Sequence, residues 1–380
     1  MKSPKYKINA EESRLRSLLL LLNTTHLIFS LGIRLLDLFP NIDELFLQNT
    51  DDLVKLGFKA NDIIILKNSN WQVIEKDLFW AKQDGHHIIT IYDDAYPSLL
   101  KETQNPPLLL FAVGDIGLLK SPQLAIVGSR NPTPIGVEIA FGFAKELSQI
   151  GLVITSGLAI GIDAACHEGA IDGLGKTIAV MGTGLNHIYP AGNVALSQKI
   201  IASGGLLLSE FPLDAKAQAW HFPLRNRIIS GLSFGTLVVE ATMRSGSLIT
   251  ARVAGEQGRD VFAIPGSIYN LASRGCHHLI RQGAKLVEKP MDILEEFPDF
   301  IKVLCVQQGV FEKAKGKNKL DCEHKKLLDC MGFERTGIDV LAARANWSVS
   351  RVGIVLLELE LKGLVKASLG GYLRVCSELS

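Results

Sequence analysis

Between residues 124 and 287, short apolar runs rich in β-branched residues alternate with segments of helical spacing, and this alternation leaves few folds open to the chain. The runs are Leu124–Val127, Leu152–Thr155, Thr177–Met181, Gly205–Leu208, Thr236–Val239, Val261–Ile264 and Lys285–Val287. Strands that are apolar at nearly every position are buried on both faces, and strands separated by helices pair in parallel through right-handed crossovers. The expected architecture is an extended, doubly wound, mostly parallel α/β sheet. In such a sheet the carboxyl ends of the strands share one edge, where ligands collect.

What ends the strands is therefore informative. Leu124–Val127 runs into Gly128-Ser129-Arg130, and Thr133 and Pro134 then read as the N-cap and first residue of a helix. Gly128 lets a ligand approach the backbone, the helix start offers N–H groups to an anion, and Arg130 adds a planar donor fork suited to phosphate. An ordinary βα turn with Arg130 paired to a surface carboxylate is the alternative. The later strands are followed by Ser156-Gly157 and then Asp163, by Gly182-Thr183-Gly184, by Glu240 and then Ser245-Gly246-Ser247, and by Pro265-Gly266-Ser267. These turns are expected to converge with the first one into a single crevice. A dinucleotide cofactor is not expected, because the first turn reads GSRNPT in place of GxGxxG and no acidic residue ends the second strand. GxxxxGK[ST] is absent as well, and no metal site is expected.

Trp220 to Ser230 reads WHFPLRNRIIS. Arg225, Asn226 and Arg227 could hold the phosphates and base edges of an unpaired nucleic-acid strand, while Trp220 and Phe222 are expected in the core. Pairing of the two arginines with Glu210 or Glu240 is the competing reading.

The flanks differ from this centre. Residues 1–85 read as a small all-helical domain, in which Gly32 and Gly57 sit between short helices as in helix-hairpin-helix units, although ordinary glycine C-caps are favoured because few basic residues flank them. Leu18–Leu22 is expected to be helix core and not a signal peptide, since polar residues interrupt it and no cleavage site follows. Residues 86–298 hold the sheet, opened by strands at Ile88–Ile91 and Leu108–Val113, and the Lys-rich stretch 299–319 reads as a linker. Residues 320–380 fit a winged helix: helices at Cys322–Met331, Ile338–Ala345 and Val349–Lys362, then a hairpin around Gly370-Gly371. Arg351 and Lys362 on the third helix are interleaved with Glu358 and Glu360, a poor set for reading a major groove. Forty basic against 39 acidic residues exclude a globally basic nucleic-acid binder, six scattered cysteines without CxxC suit a reducing cytoplasm, and no membrane span is present.

The central motifs resemble the DNA-processing protein A family (DprA, also called Smf). Val127-Gly128-Ser129-Arg130 with Thr133 and Gly136 looks like its first motif, and Ser156-Gly157-Leu158-Ala159 with Gly161, Ile162, Asp163 and His167 like its second. Phe222-Pro223 with Arg225 to Ser230 is similar to the third, and Glu240-Ala241 with Ser245 to Ala251 and Pro265 to Ser267 to the fourth. The resemblance implies an extended Rossmann-like domain that binds and protects incoming single-stranded DNA and loads the RecA recombinase onto strands coated with single-strand-binding protein during natural transformation. It also implies a tail-to-tail homodimer without catalytic turnover. Carried onto this chain, Arg130 would clamp a phosphate, and Gly128, Ser129, Ser156 and Gly157 would donate hydrogen bonds. Arg225, Asn226 and Arg227 would hold the next nucleotide, with Ser245, Gly246 and Ser247 completing the rim and Arg244 or Arg274 compensating for the apolar Leu224. Asp163 and His167 are expected to fix loop geometry. An enzymatic alternative rests on Gly231 to Thr236 followed by Glu240, similar to the PGGxGTxxE signature of LOG-type nucleoside monophosphate phosphoribohydrolases, but the Pro-Gly-Gly core is missing and Glu240 lies one residue too far. The stripe Met291, Ile293, Leu294 and Phe297 is the expected dimer face, with core packing as the alternative.

Overall fold

The computed structural model describes residues 10–24, 28–68, 71–297, 322–331, 336–361, 364–368 and 371–374. The described residues up to 297 form one compact unit and those from 322 on a second. The 299–319 stretch expected as a linker lies outside the described residues.

The first unit is built on a nine-stranded sheet: β1 (His86–Thr90), β2 (Leu109–Gly114), β3 (Gln123–Val127), β4 (Val153–Ser156), β5 (Thr177–Val180), β6 (Leu206–Ser209), β7 (Gly235–Val238), β8 (Asp260–Ala263) and β9 (Lys285–Leu286), in the order β1-β2-β6-β5-β4-β3-β7-β8-β9. Every run expected as a strand is one. All pairings from β6 to β9 are parallel, and β2 is antiparallel to both its neighbours. From β3 the chain winds outward through β4 and β5 to β6, then returns to β7 on the other side of β3. That reversal opens a gap between the carboxyl ends of β3 and β7.

Side-chain alternation assigns the two faces. Leu124 and Ile126 of β3 face the helices α7 (Pro134–Gln149) and α8 (Ile162–Asp172), whereas Ala125 and Val127 join the core beneath α10 (His221–Leu232), α11 (Gly246–Glu256) and α12 (Arg274–Arg281). Helix α9 (Val194–Ala202) buries Leu196 and Ile200 on the first face. The same face also carries the N-terminal helices α1 (Ala10–Thr24), α2 (Ile28–Leu38), α3 (Thr50–Lys55), α4 (Ala60–Asn68) and α5 (Trp71–Trp80). Leu18–Leu22 are all buried there, as helix core. The change of pattern near residue 85 is one of secondary structure and not of core. Leu19, Leu45 and Ile74 share a cluster with Leu109, Phe111 and Phe211 of the sheet region, and the Phe29 ring lies 5.2 Å from that of Phe211. Short helices α6 (Ser98–Lys101) and α13 (Met291–Leu294) complete the unit.

The expected dimer stripe packs inward. Ile293 and Leu294 are buried and Phe297 sits 4.3 Å from Phe234, which leaves only Met291 of the four exposed. A short amphipathic helix at the end of a sheet has its own core to cover first.

The second unit contains α14 (Cys322–Met331), α15 (Ile338–Ala345), α16 (Val349–Leu361) and the hairpin β10 (Val365–Ser368) and β11 (Gly371–Arg374), with Thr336 bridging to Tyr372 as a third, one-residue strand. Leu327, Leu341, Val352, Leu356 and Leu359 form its core. Arg351 is bound to Glu323 at 2.6 Å, so this basic residue of the third helix is engaged within the unit. Gly370 and Lys362 lie outside the described residues.

Phe111 is fully buried where the helical region meets the sheet. Its replacement by Ala is expected to lower stability by about 3–5 kcal/mol, as deletion of a large core aromatic does, read from urea unfolding followed by circular dichroism.

Candidate functional site

The gap at the switch point is an open crevice of about 820 Å³. Its walls come from the β3 turn (Gly128, Ser129, Arg130, Asn131), from Ala159 and Asp163 after β4, from Ala217 to Asn226, and from Thr242 to Thr250. Of the residues expected to bind, Gly128, Ser129, Arg130, Arg225, Asn226, Ser245, Gly246 and Ser247 all line it. Ser156, Gly157 and Arg227 do not.

Each of those three has another task. The Ser156 hydroxyl is buried and donates to Ile126 O at 2.6 Å, tying β4 to β3. Gly157 packs against the Arg225 guanidinium so closely that a Cβ would overlap it. Arg227 pairs with buried Glu210 and donates to Asn105 O at 2.6 Å, while Asn105 donates to Phe29 O. The pairing reading therefore holds for Arg227, which joins α10 to the helical region.

Arg225 forms the floor. It is 3% exposed, and its Nη1 donates to Gly157 O at 2.6 Å and to Val180 O, linking the ends of β4 and β5. Burial pulls its pKa down to about 10, with Asp163 opposing the shift and Arg130 adding to it. Asp163 accepts from Gly157 N at 3.1 Å and Ala159 N at 3.4 Å, holding the loop in which Leu158 adopts a left-handed φ of 55°. Burial pushes the Asp163 carboxyl up, against the pull of Arg225 and the two N–H donors. Gly161, at φ 85°, sits where a Cβ would strike Ser129 O, so the second turn presses directly on the first.

Arg130 is exposed at the rim, with its guanidinium carbon 5.5 Å from the centre of the Phe222 ring. Phe222 is half-buried and lines the crevice, contrary to its expected core position, and Tyr189 stands 5.5 Å beyond it. Gly182 has no side chain because the Phe222 ring fills that space. The result is a guanidinium, two aromatic rings and a buried cation in one opening.

Thr133 and Pro134 do cap and start α7, but the anion at this helix start is internal. Glu240 accepts from Thr133 N at 2.9 Å and from Thr133 Oγ1 at 2.6 Å, and its carboxylate lies over Gly136. The helix start that opens into the crevice is that of α11, where Ser245 caps by accepting from Ser247 N at 3.4 Å. Tyr189, Gln218 and Asn131 were not singled out from sequence. All three lie in connections where nothing local marks a side chain as facing a ligand.

These features define a class: an α/β protein of Rossmann-like topology with an arginine-lined crevice at its switch point. A family model described as DNA recombination-mediator protein A matches residues 87–298, and one described as DprA winged helix domain matches residues 312–371. Protein Smf of Escherichia coli is 45% identical over 302 residues, 80% of this chain and 81% of that one. The X-ray structure of DNA processing protein A from Streptococcus pneumoniae superposes with a TM-score of 0.63 at 40% identity, covering 77% of this chain and 99% of that one. The DNA processing protein A of Helicobacter pylori, a structure described by its single-stranded DNA binding mode, gives a TM-score of 0.51 at 31% identity over 56% and 96% of the two chains. The chain belongs to the DNA recombination-mediator protein A family, that of DprA and Smf, whose members are DNA-processing proteins. Among the described residues no helix is long and apolar enough to cross a membrane.

His167, one turn after Asp163, supports the site from below. Thr177 Oγ1 donates to Ile154 O at 2.6 Å, so His167 Nδ1, 2.7 Å from that oxygen, is the donor and Nε2 is unprotonated. Burial, reinforced by Arg225, holds its pKa down to about 3. The unfolded chain takes up this proton near pH 6.5 and the folded chain does not, so the contribution is complete above pH 6.5 and is lost as pH falls toward 3. Comparing wild type with His167→Gln by denaturant unfolding at pH 7.5 and 5, the wild type is expected to lose about 2 kcal/mol more than the variant.

Proposed function

We propose that the crevice binds single-stranded DNA along its sugar-phosphate backbone. The observation that carries this reading is the placement of Arg130 and Arg225 in one opening, the first free to grip a phosphate at the rim and the second supplying fixed positive charge from the floor. Phe222 offers a ring face that only an unpaired base can reach, and the open start of α11 adds backbone N–H groups for a second phosphate. Gly128, Ser129, Asn226, Ser245, Gly246 and Ser247 complete the contact set, while Ser156, Gly157 and Arg227 act by shaping the walls. The single-stranded DNA binding of the H. pylori relative supports this assignment.

In this reading the protein is a cytoplasmic mediator of natural transformation. It protects incoming single strands, acts as a homodimer, and loads the RecA recombinase where single-strand-binding protein would otherwise hold the strand. Residues 86–298 form the binding body, and 1–85 and 320–380 are accessory modules. No turnover is required. The acid that a phosphoribohydrolase would need, Glu240, is held by Thr133 at the start of α7 and is not among the residues lining the crevice, which counts against hydrolysis.

Titration with labelled oligonucleotides tests the proposal. Wild type is expected to bind single strands more tightly than duplex, with affinity falling steeply as salt rises. Arg130→Ala should weaken binding for every sequence and reduce the logarithmic salt slope by about one. Equal affinity for the variant and wild type would refute the assignment.

A further inference from the structure

The loop between β8 and α12 carries a cost that the crevice does not explain. Tyr269 is 89% exposed, with Ile268 at 71% and Leu271 at 60%, and Met243 at 51% stands on the preceding strand-to-helix loop. The Tyr269 loop is ordered: Tyr269 N donates to the Ser267 hydroxyl, Asn270 N to Ser267 O, and Ala272 N to the Asn270 side chain. It is also tied to the crevice wall. Ala241 N donates to Ala272 O and Gly275 N to Ala241 O, both at 2.7 Å, and Ala241 leads directly into Thr242 and Arg244, which line the crevice.

Basic residues flank it in sequence. Residues 241–255 and 261–287 contain no Asp or Glu; of their basic residues Arg252 and Lys285 pair with Glu256 and Glu296, which leaves Arg244, Arg274 and Arg281. Arg244 and Arg274 are both exposed at the carboxyl edge of the sheet, on either side of the aromatic loop in sequence. An exposed ring on a loop flanked in sequence by two exposed arginines and hydrogen-bonded to the crevice wall is a combination suited to successive nucleotides of an unpaired strand.

We infer that this loop is a second subsite for the same single strand: Tyr269 stacks a base of a nucleotide that has left the crevice, and Arg244 and Arg274 hold the flanking phosphates. The inference rests on the crevice being a single-stranded DNA site. It extends the path across β7 and β8, so that occupancy depends on strand length.

The test uses the full chain, fluorescence anisotropy, and two labelled oligothymidylates, one of roughly six nucleotides to fill the crevice and one about four times longer. Tyr269→Ser is expected to weaken the longer oligonucleotide by about five- to a hundredfold, the range of one base–aromatic stack, and to leave the shorter one unchanged. Tyr269→Trp should keep wild-type affinity for both, and Arg274→Ala should weaken the longer one alone. Unchanged binding of the longer strand by Tyr269→Ser overturns the inference, as does an equal loss on both lengths. A loss that follows halving of the protein's mass in sedimentation also overturns it, making the loop an interface between copies. Arg130→Ala separates the two levels: weakened binding on both lengths with Tyr269→Ser silent removes only this subsite, whereas an inert Arg130→Ala removes the crevice reading and this one together.

Discussion

A guanidinium sealed beneath an open crevice is the arrangement around which the rest of the site is built. Arg225 is almost wholly out of water, and a charge so placed persists only where carbonyls and a carboxylate surround it. Gly157 O and Val180 O supply the first and Asp163 the second. Because Asp163 also gathers the amides of Gly157 and Ala159, the groups that stabilise the charge are the same ones that fix the second turn. That turn in turn bears on Ser129 through Gly161. Charge burial and loop shape are one network here, and neither could be altered without moving the other.

The helical region belongs to this construction through α10. Arg225 and Arg227 leave the same helix in different directions, the first toward the crevice and the second toward Glu210, Asn105 and, through Asn105, Phe29. The aromatic cluster of Phe29, Phe211, Trp220 and His221 packs beside the first turn of α10. Helix α10 is thereby held at its start by rings and along its length by ion pairing, which sets the height of Arg225 in the floor.

Much of the fold could be read before any coordinates, because the signals were local and periodic. Seven apolar runs from Leu124 to Val287, the Thr133-Pro134 helix start and the three helices of the second unit all fall where their patterns place them. The first two strands, β1 and β2, were equally visible, but their antiparallel pairing was not, since pairing direction is a property of two distant segments. The site divided along the same line. Turn glycines and serines announced themselves, whereas the partner of each charged side chain did not. From sequence Arg225 and Arg227 are alike, and only the positions of Glu210 and Val180 distinguish a structural ion pair from a crevice floor. Phe222 misled for a related reason: an aromatic residue near arginines is core in most proteins, and here the glycine at position 182 makes room for it at the surface.

Glu240 bears on how such a fold chooses its ligands. In a dinucleotide-binding sheet, the start of the helix after the first strand of the doubly wound unit is where a diphosphate settles. Here the chain has put a carboxylate of its own in that place, fastened to the backbone and hydroxyl of Thr133. A free nucleotide reaching for the same amides would have to evict a tethered competitor whose local concentration never falls. The neighbouring crevice has no such tenant at its helix start: α11 opens into it capped by the hydroxyl of Ser245.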